Sequence, residues 1–427
     1  MKILYIVPNP PSLVRVRPYN LTRQLRSRGD RVTLATVWAN AGERADIERL
    51  RADGFEVVAV PLAKRQIVLN LLRAFVTGTP LQAEYSWQPN LKNQISSIKS
   101  QFDVIHVEHL RGAQYGLALQ SEIRNQKLGI PVVWDSVDCI TYLFEHAARQ
   151  SQSASGRLMT WMELGRTRRH EGRLVSQFDQ VLVTSQTDKT ALEELSKLGS
   201  LSKIKHPIEV LPNGVDLEYF TPGEDARQPD TVVFSGKMSY HANVAGALYF
   251  AHEVLPRIWQ RNPQVRFQIV GKDPPQVVKQ LARDARIEVT GYVKDLRPYL
   301  AQATVAVCPV AYAVGIQNKV LEAMAMQVPV VCTAAAFAGL QAREEEEILV
   351  ADSPETFAAQ ILRVCSDLGL AAHLAAAGRR YVETQHSWDA SAQRLSGLYD
   401  RARPAIGPVD AEHDRNSSSG REVGLRG

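Results

Sequence analysis

Residues 315–331 of this 427-residue chain, GIQNKVLEAMAMQVPVV, hold the side chains best suited to chemistry. Gly315 lets the backbone come close to a ligand. Asn318, Lys319 and Glu322 stand three and four residues apart, which gathers them on one side of a short helix with Asn318 as its N-cap. Free N–H groups and the dipole at such a helix start attract phosphate. A carboxylate one turn in can accept two hydroxyl donors, as a ribose offers. The segment therefore suits a ligand that carries both phosphate and hydroxyls, such as a nucleotide-sugar. Local pairing of Glu322 with Lys319 is the other reading of the same residues.

Further candidates lie at the ends of strand-like runs. FSGKM, residues 234–238, places Gly236 and Lys237 after a strand, where backbone access and a point charge suit a diphosphate. TGYVKDL, residues 290–296, is a turn whose backbone around Val293 could face a base, or is a plain connection. PNPPSLVRVRPYN follows the first strand and carries Arg15 and Arg17, which could meet an anion. It has no GxGxxG, so a dinucleotide site is not expected. DSVD places Asp135 and Asp138 at a strand end, as bases, sugar-hydroxyl acceptors or helix caps. HVEH puts His109 at another strand end and is not the HExxH metal pattern.

These positions need elements to hold them. Runs at residues 3–7, 32–37, 57–60, 104–107, 132–134, 181–184 and 208–211 read as strands, several of them short continuous apolar runs as in strands covered on both faces, with helices between most of them. A Pro- and charge-rich stretch at 221–230 reads as a linker. The pattern then restarts at 232–235, 267–271, 287–290, 305–309, 328–332 and 348–350. The expectation is an α/β protein with two doubly wound parallel sheets, whose strand ends face a cleft. The last helix lies near 388–401, and residues 402–427 read as a disordered tail.

At 45% hydrophobic and 22% charged the composition is that of a soluble globular protein. No apolar run spans a bilayer, and nothing after Met1 reads as a signal peptide, so a cytoplasmic site is expected. Four scattered cysteines argue against a zinc site. A net charge of +5 does not point to nucleic acid but allows peripheral contact with an anionic membrane. Arg157, Arg166, Arg168, Arg169 and Arg173, against Glu163 and Glu171, form either a basic docking face or a solvated helix face.

The stretch VLPNGVDLEYFTP together with FSGKM, TGYVKDL and KVLEAMAMQVPVV resembles glycosyltransferase family 4, of GT-B architecture, across residues 1–400. GIQNKVLEAMA is similar to a bacterial subgroup associated with exopolysaccharide and exosortase systems. The resemblance implies two Rossmann-like domains, residues 1–205 for the acceptor and 231–385 for the donor. A linker at 206–230 joins them, and a helix at 386–401 crosses back to the first domain. It implies a hexosyltransferase of exopolysaccharide or surface glycan synthesis, retaining and metal-independent, with no cofactor. The donor would be a UDP- or GDP-sugar, and the acceptor a glycan or a lipid-linked glycan. Glu322 would hold the ribose. Gly236, Lys237, Gly315 and the backbone at Ile316, Gln317, Asn318 and Lys319 would hold the diphosphate, and Val293 would face the base.

Three departures stand out. The family's earlier glutamate is Val314 here, prolines replace a glycine pair in the first loop, and Asp135 stands where a histidine is common. Arg17, His109, Asp135 and Asp138 remain catalytic candidates from their strand-end positions. The alternatives are a non-catalytic nucleotide-sugar binder in a polysaccharide complex and a sugar-nucleotide epimerase of the same architecture.

Overall fold

A computed structural model describes residues 1–12, 15–150, 154–198, 206–223, 227–313 and 315–403, with backbone only for 147–150, 154–160 and 198. The expectations for Val314, for Arg157 and for the tail beyond residue 403 lie outside the described residues and side chains.

Seven strands build the first sheet: β1 (Lys2–Val7), β2 (Arg31–Trp38), β3 (Glu56–Pro61), β4 (Val104–Glu108), β5 (Val132–Val137), β6 (Gln180–Val183) and β7 (Glu209–Val210). Six build the second: β8 (Thr231–Ser235), β9 (Arg266–Val270), β10 (Ile287–Gly291), β11 (Val305–Cys308), β12 (Val330–Cys332) and β13 (Leu349–Val350). The order is β3-β2-β1-β4-β5-β6-β7 in one and β10-β9-β8-β11-β12-β13 in the other. Every pairing in them is parallel. β1, β4, β8 and β11 are almost wholly buried, because helices cover both faces. Each sheet reverses strand order once, between β1 and β4 and between β8 and β11. Ligands of such sheets sit at these reversals, beyond the carboxyl ends.

β7 ends at Val210, so the first sheet reaches into the stretch expected as linker, and the connection begins at Leu211. The chain crosses between the domains twice, and the two crossings are bonded together. Val215 N donates to His386 O (2.7 Å). His386 Nδ1 and Asn213 O lie 2.7 Å apart. Gly214 is required here, since a Cβ would stand 2.7 Å from Trp388 Cδ2 and 2.9 Å from His386 O. The helix Trp388–Ala402 then lays Trp388, Ala392, Leu395 and Tyr399 on the first sheet against Ile3, Tyr5 and Leu25. The second domain has its own core around Phe234, Phe250, Phe267 and Phe357.

Candidate active site

The second domain offers a compact polar cradle at its strand reversal. β8 runs into Gly236 (φ +149°) and β9 into Gly271 (φ +157°). A Cβ on Gly271 would lie 1.7 Å from Gly236 O, and one on Gly236 2.9 Å from Asn243 Nδ2. Without side chains there, three segments close on one point. Asn243 Nδ2 donates to Lys237 O (2.9 Å), and Lys319 Nζ donates to Asn243 Oδ1 (2.6 Å). Lys319 Nζ also sits 5.1 Å from the Phe234 ring centre. Burial lowers the Lys319 pKa against the opposing pull of Cys308 and Glu322. Burial raises Glu322 to about 7, with Lys319 opposing.

Lys319 and Glu322 stand on the helix Asn318–Ala325, which is anchored by buried Val320, Leu321, Ala323 and Met324. Its N-cap is Gln317, in extended conformation, so the expectation of Asn318 as cap is corrected: Asn318 is already helical. Its Oδ1 instead accepts from Asn213 Nδ2 across the cleft (3.3 Å). The Lys237 side chain is exposed beside this cradle. Val293 follows the end of β10 and packs half-buried on the second core.

Gly315 and Ile316 are placed differently from the expected open phosphate loop. Gly315 (φ +61°) is buried against the first domain, and a Cβ there would lie 2.1 Å from Asp138 Oδ1. Its N–H donates to Asp188 Oδ2 (3.2 Å). Ile316 is buried in the second core. This part of the loop therefore clasps the opposite domain, because the glycine admits carboxylates where a side chain would clash.

Across the cleft, Arg17 and Asp135 do meet, but they form a sealed ion pair. Arg17 Nε and Nη2 donate to Asp135 Oδ2 (2.9 and 2.7 Å), and Nη1 donates to Leu211 O (3.0 Å) and Asn213 Oδ1 (2.9 Å). Both side chains are buried. Burial would raise the Asp135 pKa, yet Arg17 and His106 outweigh it and hold it at about 2. His106 stacks on Tyr5 and shares a 2.9 Å hydrogen bond with the Tyr399 hydroxyl of the crossing helix. The geometry corrects the expectation of a base at Asp135 and an anion-binding Arg17: both position the first domain against the linker.

Asp138 is half-buried after Val137, whose φ of +67° is strained for a β-branched residue. Burial, then the neighbouring Asp188, raises Asp138 to about 7. Thr184 Oγ1 donates to its Oδ1 (3.3 Å). His109 (φ +66°) opens the helix His109–Asn125 at the end of β4. It lines an interdomain cavity of about 280 Å³ with Asn9, Arg15, Glu108, Asn213 and Asn318. Burial, reinforced by Arg111, lowers His109 to about 4. Burial and Asp135 raise Glu108 to about 8. At neutral pH this pocket holds a neutral imidazole beside a neutral carboxyl.

Asn243, Asn213 and Asp188 are the members that residue patterns did not single out. Asn243 is the one polar side chain in the apolar run ANVAGALYF, and Asn213 stands inside PNGVD. Asp188 reads as an ordinary first-turn acid of the helix Gln186–Leu198, and nothing local marks its reach to residue 315.

Residues 14–214 match the family described as glycosyl transferase 4-like domain, and residues 229–367 the family described as glycosyl transferases group 1. No curated protein matches the chain. Among solved structures, HepE of Anabaena in complex with UDP is 15% identical, with a TM-score of 0.64 over 94% of this chain and 100% of that one. Sucrose-phosphate synthase from Thermosynechococcus elongatus is 19% identical, with a TM-score of 0.65 over 94% and 98%. S. aureus TarM, crystallised with UDP, fondaparinux and a GlcNAc-glycerol, is 9% identical, with a TM-score of 0.63 over 93% and 99%. At these identities the solved structures speak for the fold. With two glycosyltransferase domain matches following one another over two sheets that share the order of their first six strands, this chain has the GT-B fold and the two domains of a glycosyltransferase.

Proposed function

We propose that the protein is a retaining, metal-independent hexosyltransferase. It takes a sugar from a UDP- or GDP-sugar and passes it to a glycan or lipid-linked acceptor, in building an exopolysaccharide or other surface glycan at the cytoplasmic side. One observation carries the donor reading: Gly236, Asn243 and Lys319 converge at the strand reversal, with Glu322 one helical turn further on. The Lys319 ammonium, the exposed Lys237 and the N–H groups opening the helix Asn318–Ala325 would meet the diphosphate. They would stabilise the negative charge that grows on it as the sugar leaves. Glu322 would accept both ribose hydroxyls, and their donation favours its ionised form. That UDP occupies HepE and TarM in related folds supports the reading.

The acceptor would lie in the cavity beside His109. His109 Nδ1 accepts the Arg111 amide (3.2 Å), so the neutral imidazole carries its proton on Nε2, which would donate to an acceptor oxygen and orient it. A non-catalytic nucleotide-sugar binder is the second reading, favoured by the sealing of Asp135 under Arg17.

Calorimetric titration with UDP- and GDP-sugars tests the donor site. Glu322→Gln and Lys319→Met should each weaken the preferred donor by roughly tenfold to a hundredfold, the loss of charge-assisted hydrogen bonds. Unchanged affinity in both variants sinks the assignment. Tight donor binding without nucleoside diphosphate release, across a panel of glycan and lipid-linked acceptors, supports the binder.

A further inference from the structure

The helix Lys64–Thr77 presents its faces the reverse way for an element that only packs on its own domain. Inward it turns Asn70 and Ala74, both buried. Asn70 Nδ2 donates to Trp87 O (2.7 Å) and Tyr85 O (3.3 Å), and its Oδ1 accepts from Gln66 Nε2 (2.9 Å). Outward it turns Val68, Leu69, Leu72, Phe75 and Val76, which are 55% to 85% exposed. The adjoining helix Ala154–Gln177 adds Trp161, 70% exposed, and Met162. Arg166 joins the two helices, its guanidinium 5.3 Å from the Phe75 ring centre. Scattered exposed apolar residues are ordinary, but a continuous strip on one helix face marks a docking surface.

Charge decides what docks. The sequence of Lys64–Thr77 holds Lys64, Arg65 and Arg73, all exposed, and no acid. On the neighbouring helix Arg169 and Arg173 are exposed, Arg168 is exposed but pairs with Glu145, and both glutamates of the helix point inward. Glu163 accepts from Leu81 N (2.9 Å) and Arg166 Nη1 (3.2 Å). Glu171 accepts from Ile140 N (2.9 Å) and Thr141 N (2.8 Å). The acids thus serve as internal ties, and the outward rim is cationic. A flat helix with aliphatic and aromatic side chains outward and basic ones at its edges fits the boundary between lipid headgroups and acyl chains. Among the described residues no single helix is long and apolar enough to cross a membrane.

We propose that this face docks on an anionic lipid bilayer. Leu72, Phe75 and Trp161 enter the boundary region, and Lys64, Arg65 and Arg169 meet lipid phosphates. The inference stands apart from the donor reading.

Flotation of the full chain with lipid vesicles tests it. The native protein should float with vesicles of phosphatidylglycerol and phosphatidylcholine in equal parts, far less with phosphatidylcholine alone, and less in high salt. Leu72→Asp with Phe75→Asp should cut vesicle partition roughly tenfold or more, with far-UV circular dichroism and nucleotide affinity unchanged. Lys64→Glu with Arg65→Glu should also reduce it, at positions that hold no part of the core. The proposal is overturned if the native chain does not float with anionic vesicles, or if the Leu72/Phe75 variant floats like it. It is equally overturned if sedimentation shows a dimer which that variant dissolves while lipid binding is absent, since a second copy would then be the occupant.

Discussion

Glu322 and Asp135 are two acids with opposite fates, and their neighbours explain why. Glu322 is half-buried with one lysine nearby and is pushed up to about 7, whereas Asp135 accepts from two nitrogens of Arg17 and stays at about 2. On the proposed donor reading, ribose hydroxyls would bind the ionised form of Glu322, so donor binding should release a proton below pH 7. Affinity is therefore expected to rise with pH from about 5.5 to about 7.5 and then level off, a dependence that Glu322→Gln should flatten. Calorimetry in buffers of different ionisation enthalpy reads both effects. For Asp135 the expectation is structural: Asp135→Ala leaves buried Arg17 unpaired and should cost about 3–5 kcal/mol of stability in denaturant titration. Nucleotide affinity of the folded fraction should stay native, because the donor cradle lies in the other domain.

At the scale of elements, the two crossings between domains act as one joint. PNGVD was legible as a family signature, but the cause of its glycine was not. Gly214 lies under Trp388, a residue 174 positions away by number, so no local pattern announces the contact. Gly214→Ala should destabilise the chain by about 1–3 kcal/mol through overpacking, read as a lower urea midpoint with the slope unchanged. Gly315 makes the second interdomain contact. Gly315→Ala places a methyl at Asp138 and should lower turnover more than nucleotide affinity, since it disturbs the clasp rather than the cradle.

For the whole molecule, buried titratable groups set the pH profile of stability. Asp138, Glu171 and Glu322 titrate at about 7 and Glu108 at about 8 in the folded state, all raised, with burial as the largest cause in each. A carboxyl with a raised pKa stabilises the fold fully below its unfolded value of about 4, and that contribution is lost as pH rises from there through its folded value. His109 and His170, lowered to about 4 by burial, act the other way, and their effect is complete once pH exceeds about 6.5. Stability should therefore fall from about pH 4.5 and level off above about pH 8, seen as a drop in urea midpoint across that range. A nucleotide bound at a hundredfold its Kd should restore about 2.7 kcal/mol.

The strands were legible as short, mostly apolar runs, continuous where both faces are covered as in β1, β4, β8 and β11, and the alternation with helices dictates parallel sheets. Lys319 and Glu322 were legible because helical spacing alone puts them on one side. What the chain by itself could not decide was which polar groups turn toward ligand and which toward protein. Asp135 met Arg17 across 118 positions, Gly315 met Asp188 across 127, and the helix Lys64–Thr77 hid its asparagine and showed its leucines. Side-chain type sets what a residue can bind. Only the packing of distant segments sets which partner satisfies it first, because a buried polar group takes the nearest hydrogen bond the fold provides.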